Sequence, residues 1–119
     1  MPFNGMTVVM NAQTDQLLAN PSTMQLIRRQ MMEVIGAAQA LGVKGLDASF
    51  ADRMIEMTLS MTPYSPSMKL DYDFNRPMEI DYLYTHAIAE AHRVGYAMPS
   101  LEMLEAQLRF LQEKNSLRG

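Results

Sequence analysis

Residues 20–42 read NPSTMQLIRRQMMEVIGAAQALG, and their apolar side chains recur at the three- and four-residue spacing of an amphipathic helix. Asn20 is a residue type that caps helices, and Pro21 suits the first helical position, where no amide hydrogen is needed. Gly42 supplies the stop, because glycine readily adopts the left-handed backbone found after many helices. The stretch predicts a long helix whose apolar face comprises Met24, Ile27, Met31, Val34, Ile35, Ala38 and Leu41.

Three further helices are predicted from the same spacing. The first starts at Ser49, with Asp52 in a variant of the capping box, and the second runs from Pro77 to Val94 and is closed by Gly95. The third follows Pro99 and continues to the end of the chain. The apolar face of the helix that starts at Ser49 comprises Phe50, Met54, Met57 and Met61.

Two weaker stretches complete the chain: residues 6–19, and a short turn of helix that begins near residues 65–67. No Asn-Gly or Asp-Gly turn links alternating apolar and polar runs, so no hairpin is predicted. The sequence therefore predicts one all-α domain of five or six helices over residues 1–119. Apolar residues begin at Phe3 without a capping residue before them, so we expect the chain to begin within an element.

The composition limits the classes of function. A chain of 119 residues suits one domain, and thirteen acidic against ten basic residues leave a net charge of −3. We expect no nucleic acid among the partners, since phosphate binding needs a basic surface. A mean hydropathy of −0.13 without a long apolar run predicts no membrane span. The absence of cysteine excludes disulfides and thiolate zinc sites, and residues 1–5 carry no export signal, so a cytoplasmic location is expected.

No metal site is predicted. The run Asp71–Asn75 imitates the start of a calcium-binding loop, but Arg76 replaces the required glycine and Tyr82 the required glutamate. His86 and His92 are six residues apart on one predicted helix, which places them on different sides. Thirteen methionines could form a soft-metal site or a binding groove, but most fall on the predicted core faces, where thioethers fill gaps.

Two segments place polar side chains at predicted helix starts: residues 64–68, Tyr-Ser-Pro-Ser-Met, and residues 76–81, Arg-Pro-Met-Glu-Ile-Asp. Unpaired amides at a helix start suit an anion, and Ser67 could add a hydroxyl that holds a carboxylate. Glu79 would be kept ionised by the helix dipole and could act as a hydrogen-bond acceptor. Ordinary helix capping is the alternative for both residues, because serine and glutamate are common in first turns.

These segments resemble the C-terminal domain of ketopantoate reductases. Ser67 and Met68, followed by residues 76–81, are similar to the family pattern of Ser-Met and then Arg-x-Thr-Glu-Ile-Asp. Residues 95–99 have the spacing of the family's glycine-to-proline segment, and residues 2–4 resemble the segment that follows the catalytic lysine. The resemblance covers essentially the whole chain and implies a helical domain of the 6-phosphogluconate dehydrogenase C-terminal-like type.

The resemblance implies the NADPH-dependent reduction of 2-dehydropantoate to pantoate, on the route to pantothenate and coenzyme A. Family members join an N-terminal Rossmann domain, which carries the NADP site, to a helical substrate-binding domain; we expect residues 1–119 to be the second and the Rossmann domain to be absent. Asn4 and Ser67 match substrate-binding residues, and Glu79 matches a glutamate near the cofactor and the lysine, with a supporting catalytic role. The proton-donating lysine would precede Met1, so this chain is expected to be inactive alone.

Two departures from the family pattern leave the substrate open. Met78 replaces the usual threonine before the glutamate, and Thr14 stands where some members have a substrate-contacting asparagine. A related 2-keto acid is therefore an alternative substrate. The alternative function is a stand-alone helical dimerisation or protein-interaction module without catalysis. A homodimer is compatible with both functions, because apolar surface left by a missing Rossmann domain would favour self-association.

Overall fold

Helices account for all the regular structure of the computed structural model, which describes residues 2–61 and 66–117. The predicted all-α domain is confirmed. The described residues contain more helices than predicted, because residues 6–19 divide between two helices where Asn11 adopts a left-handed φ of 51°. The elements are α1 (Pro2–Met10), α2 (Thr14–Ala19), α3 (Pro21–Ala40), α4 (Ala48–Ser60), α5 (Ser67–Asp73), a π turn (Asp81–Thr85), α6 (His86–Arg93) and α7 (Pro99–Leu117).

Helix α3 has the predicted ends. The Asn20 side-chain oxygen accepts hydrogen bonds from the Ser22 and Thr23 amides at 2.9 and 3.3 Å, which satisfies two donors of the first turn. Gly42 follows the helix with a φ of 96°, a conformation that glycine adopts without steric cost. Leu41, predicted to be on the core face, caps the helix and is exposed.

Helix α4 differs from its prediction at the start and on its face. The cap is Asp47, not Ser49, because the Asp47 carboxylate accepts a hydrogen bond from the Ser49 amide at 3.0 Å. Only Ala51 and Ile55 are buried, since α4 packs on α2 and α3 along that stripe. The neighbouring apolar residues face outward, and the exposed fractions of Met57 and Met61 are 56% and 48%. The two were wrongly predicted to be in the core, whereas five other methionines are buried there: Met6, Met31, Met68, Met78 and Met98.

The helix predicted from Pro77 to Val94 starts later than expected, because two amides before it bond elsewhere. The Met78 amide donates to Gln112 Oε1 at 2.7 Å, and the Arg76 amide donates to the Asp71 carbonyl at 2.7 Å. Residues 76–79 are therefore non-helical and lead into the π turn.

Helix α1 lies at the centre of the packing, between α3, α5 and α7. Its residues from Gly5 to Val8 are all buried. The π turn and α6 close the other side against α7 and α3. The core that these elements share includes Met6, Val8, Ile27, Ile35, Ile80, Tyr84, Leu101, Leu104 and Leu108.

Two close contacts join α3 to the segment after α6 and to the first turn of α7. Gly95 ends α6 with a φ of 80°, as predicted, and Tyr96 then lies against Gly36. A methyl group added at Gly36 would lie 1.9 Å from the Tyr96 hydroxyl oxygen, so a larger residue there requires the Tyr96 ring to move. The buried Glu33 carboxylate accepts hydrogen bonds from the amides of Ser100 and Leu101, at 3.0 and 3.2 Å. None of the helices in the described ranges has the length and hydrophobicity needed to cross a lipid bilayer.

Candidate functional site

Asn4 lies in the first turn of α1 and is half-buried. Its Oδ1 accepts a hydrogen bond from the Met68 amide at 3.2 Å. Because a backbone amide can only donate, this bond orients the carboxamide and turns Nδ2 away from Met68. Asn4 Nδ2 makes no hydrogen bond with the described residues, so it remains a donor for a ligand.

Ser67 is the first residue of α5 and is exposed. The capping position belongs to Pro66, and the Ser67 hydroxyl makes no hydrogen bond within the described part of the chain. The hydroxyl therefore does not cap its own helix. Since Met68 follows Ser67 directly, the bond from Met68 to Asn4 brings two of the three candidate residues to one place. Residues 64 and 65 of the same predicted segment lie outside the described residues.

Glu79 and Asp81 are the two carboxylates of the second segment, and they differ in their contacts. Asp81 Oδ1 is 2.6 Å from Arg109 Nη2, and this guanidinium holds the pKa of the Asp81 carboxyl below its usual range. Glu79 is exposed, and no hydrogen bond or ion pair joins its carboxylate to another described residue. Asp81 is thus committed to α7, and Glu79 is the carboxylate that remains for a ligand or a catalytic group.

The start of α1 is also bonded to the helix that follows Glu79. The Gly5 amide donates to the Tyr84 hydroxyl oxygen at 2.8 Å, and Tyr84, in the π turn, is fully buried. A methyl group added at Gly5 would lie 2.6 Å from both that oxygen and Leu104 Cδ2. Burial raises the pKa of the Tyr84 hydroxyl, so the phenol stays neutral. The sequence analysis missed this pair, whose signal is a glycine within an apolar helical run.

The acidic residues that imitate a calcium loop are engaged in ion pairs. The Lys69 ammonium, which is buried, contacts Asp73 and donates to Asn11 Oδ1 at 3.0 Å. Asp71 is 3.1 Å from the Arg76 guanidinium. Across the described ranges, no group of three or more His, Asp or Glu side chains could hold a metal ion.

His86 and His92 are both exposed. His92 Nε2 is 2.9 Å from Glu102 Oε1, which ties the end of α6 to the start of α7.

Two hollows lie beside the candidate residues. An apolar groove of about 180 Å³ is lined by Phe3, the neighbour of Asn4, and by residues of α3 and α4. A hollow of about 480 Å³ is lined by residues 75–78, which precede Glu79, and by side chains of α7.

The described residues do not provide a dinucleotide cradle. Such a cradle needs a strand, a glycine-rich turn and a helix whose amides face the pyrophosphate, and the described residues contain no strand. The site therefore offers side-chain donors at Asn4 and Ser67 and an acceptor at Glu79, which suits a small polar ligand. Within the described ranges, no hydrogen bond joins Glu79 itself to Asn4 or Ser67, and the bond from Gly5 to Tyr84 links α1 to the helix that follows Glu79.

Comparison with known proteins shows one family. A 2-dehydropantoate 2-reductase from Nostoc sp. strain PCC 7120 is 38% identical over 115 residues, which are 97% of this chain and 36% of the relative. The crystal structure of 2-dehydropantoate 2-reductase from Geobacter metallireducens GS-15 is 35% identical, with a TM-score of 0.86 over 95% of this chain and 36% of that one. The enzyme of the same name from Methylococcus capsulatus is 27% identical, with a TM-score of 0.87 over 97% of this chain and 39% of that one.

The chain thus spans little more than a third of the length of these relatives. The family model described as "Ketopantoate reductase PanE/ApbA C terminal" matches residues 1–112. That match covers nearly all of the helical domain, from α1 into the last helix, and the chain belongs to the ketopantoate reductase C-terminal family.

Proposed function

We propose that this chain is the substrate-binding, C-terminal part of an NADPH-dependent reductase of 2-dehydropantoate or a related 2-keto acid. The observation that carries the proposal is the hydrogen bond from the Met68 amide to Asn4 Oδ1. This bond brings the segments of Asn4 and Ser67 together. Asn4 Nδ2 and the Ser67 hydroxyl are then two neighbouring donors that have no partner among the described residues. Two donors suit the oxygens of a 2-keto acid.

Asn4 and Ser67 bind the substrate and fix its orientation in this proposal. The Asn4 carboxamide cannot rotate without losing the Met68 bond, so its donor is aimed before the substrate arrives. The Ser67 hydroxyl can rotate to serve either a carboxylate or a keto oxygen.

Glu79 acts on the proton donor. In this proposal a catalytic lysine precedes Met1, and a carboxylate with no other partner among the described residues could hold that ammonium toward the keto oxygen. Asp81 cannot take this role, because it is paired with Arg109.

NADPH would supply the hydride from an upstream Rossmann domain, since the described residues lack a cradle for it. We further propose that the complete enzyme is cytoplasmic and forms a homodimer. The location rests on the family alone, and the homodimer rests on the family and on the apolar residues that α4 leaves exposed.

The test is a chimera in which the part of the Nostoc relative that precedes the matched region is joined to this chain. We expect it to oxidise NADPH in the presence of 2-dehydropantoate. A parallel series of unbranched and branched 2-keto acids determines which substrate has the highest kcat/KM. A folded chimera that binds NADPH but reduces none of these acids would contradict the proposal.

The exposed stripe on α4 favours the second candidate, an interaction module without catalysis. Met57 and Met61 are large apolar residues that solvent reaches, as expected of a docking face. If the chimera is inactive while the isolated chain forms a stable dimer in sedimentation equilibrium, this candidate replaces the first. An active chimera rejects it.

A further inference from the structure

We infer that Tyr84 is a positioning residue for the substrate site, holding α1 so that the Asn4 carboxamide points its donor at the ligand. This inference rests on the proposed function for its kinetic consequence but on contacts of the described residues for its geometry. Nothing in the sequence pattern assigns Tyr84 more than a place in the core.

The geometry is a short series of hydrogen bonds through all three candidate segments. Tyr84 accepts from the Gly5 amide at 2.8 Å, and Asn4, the residue before Gly5, accepts from the Met68 amide at 3.2 Å. Ser67 precedes Met68, and the helix of Tyr84 follows Glu79 directly. The first turn of α1 is therefore fixed from two sides by bonds to the segments that carry the other two candidates.

Gly5 makes the approach of Tyr84 possible. A larger residue would place its Cβ 2.6 Å from the Tyr84 oxygen, so the hydroxyl can reach the α1 backbone only because this position has no side chain. Successive residues of an α-helix differ in direction by about 100°, so a small rotation of α1 would turn Asn4 away from Met68. The Tyr84 bond opposes that rotation at the neighbouring residue.

The π turn sets the direction in which the Tyr84 side chain approaches α1. A π turn adds a residue to one helical turn and recurs at functional sites, because it re-aims the residues on either side. Two α7 side chains hold this turn: Glu105 accepts from the Thr85 hydroxyl at 2.6 Å, and Arg109 contacts both Thr85 and Asp81. Tyr84 lies within this turn, which begins two residues after Glu79, so the turn sets the position of the Tyr84 bond to α1 relative to the Glu79 segment.

The experiment replaces Tyr84 with phenylalanine, which keeps the ring and removes the acceptor of the Gly5 amide. In the Nostoc chimera, we expect Y84F to raise KM for 2-dehydropantoate about fivefold with little change in kcat, since an oriented binding group is lost. Ile55→Val on α4 is the control for a small core change, and it should leave KM unchanged. Asn4→Ala should raise KM, and adding Y84F to Asn4→Ala should raise it no further, because the group that Tyr84 positions is then gone.

A second readout uses the isolated chain and needs no catalysis. In ¹⁵N NMR spectra, Y84F should shift the resonances of the Met68 amide and of the Asn4 side-chain NH₂ group, and Ile55→Val should not. If both variants leave these resonances in place, or if Y84F and Asn4→Ala raise KM independently, Tyr84 is only a core residue and the inference is wrong. If the parent chimera is inactive, the proposed function fails, and the NMR result alone decides whether Tyr84 positions Asn4.

Discussion

Glu33 shows how one residue in this chain can combine burial with charge. Its carboxylate lies in the core side of α3 and accepts the amides of Ser100 and Leu101, in the first turn of α7. The positive end of the α7 dipole and two charge-assisted hydrogen bonds stabilise the charge in place of water. Glu33 is therefore the cap of a helix that begins 66 positions later in the chain, at Pro99.

Replacing Glu33 with glutamine should lower the free energy of unfolding by about 1–3 kcal/mol, because the charge is lost and an NH₂ group can face the α7 amides. Urea denaturation followed by circular dichroism measures the change. Glu56→Gln is the matched control, since Glu56 is exposed on α4, and it should change the free energy by less than about 0.5 kcal/mol. Equal effects for the two variants would show that Glu33 does not cap α7.

Ser67→Ala should raise KM for the 2-keto acid about tenfold in the chimera, the effect of one lost hydrogen bond that is made in both ground and transition states. Ser22→Ala, at an exposed position of α3, is the control and should leave KM unchanged. Because the Ser67 hydroxyl has no described partner in the protein, the melting temperature should stay the same. A lower melting temperature with an unchanged KM would assign Ser67 to the fold instead.

Glu79→Gln should lower kcat about 100-fold or more, because in the proposed role the carboxylate holds the lysine ammonium and a neutral amide cannot. Stopped-flow measurement of NADPH oxidation separates this loss from substrate binding. The control is Glu56→Gln, which makes the same chemical change on the exposed side of α4. An unchanged kcat would remove Glu79 from the reaction and leave its role to another residue.

At the scale of elements, α5 is a short helix that carries Ser67 and bonds to Asn4 through the Met68 amide. It has seven residues, too few for a stable isolated helix, and side-chain bonds join it to both ends of α1. Met68 bonds to Asn4 at the start of α1, and Lys69 bonds to Asn11 just beyond its end. The position of Ser67 is therefore set by α1 more than by α5 itself.

Lys69→Met should accelerate hydrogen exchange of the α5 amides while leaving exchange in α3 and α7 nearly unchanged. The substitution keeps most of the buried side-chain volume but removes the bonds to Asn11 and Asp73, so local opening becomes easier. Lys114→Met, at an exposed position of α7, is the control. Uniform acceleration in all helices would instead indicate a loss of global stability.

The sequence predicts the long helices well because their signals are local. Apolar spacing, the Asn20 cap and the glycines after α3 and α6 lie within the elements that they define. Three features were predicted wrongly, because contacts from other elements decide them. They are the start of α4, the burial of Met57 and the start of the helix expected at Pro77. The site residues stay predictions, and Tyr84 was missed because its partner Gly5 is 79 positions away.

At the scale of the whole molecule, the described surface carries several large apolar side chains. The groove beside Phe3 opens toward α4, where the exposed Met57 and Met61 continue an apolar stripe. Exposed apolar area of this sort marks a face that another domain or another copy covers. This surface fits a chain that spans only about 36% of its Nostoc relative.

The isolated chain should show no saturable NADPH binding up to millimolar concentration in a fluorescence titration. The reason is that dinucleotides bind at a strand, glycine-rich turn and helix, and the described residues contain no strand. The chimera is the positive control, because its added part comes from a full-length reductase. Tight binding by the isolated chain would place a cofactor site on the helices alone.

The contact between Gly36 and Tyr96 constrains how this fold can diverge over time. A side chain at position 36 would collide with the Tyr96 ring, whereas loss of the ring leaves the backbone of α3 untouched. The less costly order of exchange therefore replaces the tyrosine with a smaller residue first and the glycine second. Related sequences that carry a side chain at position 36 should then lack the aromatic ring at position 96. An ancestral reconstruction should place the replacement of the tyrosine on an earlier branch than the replacement of the glycine.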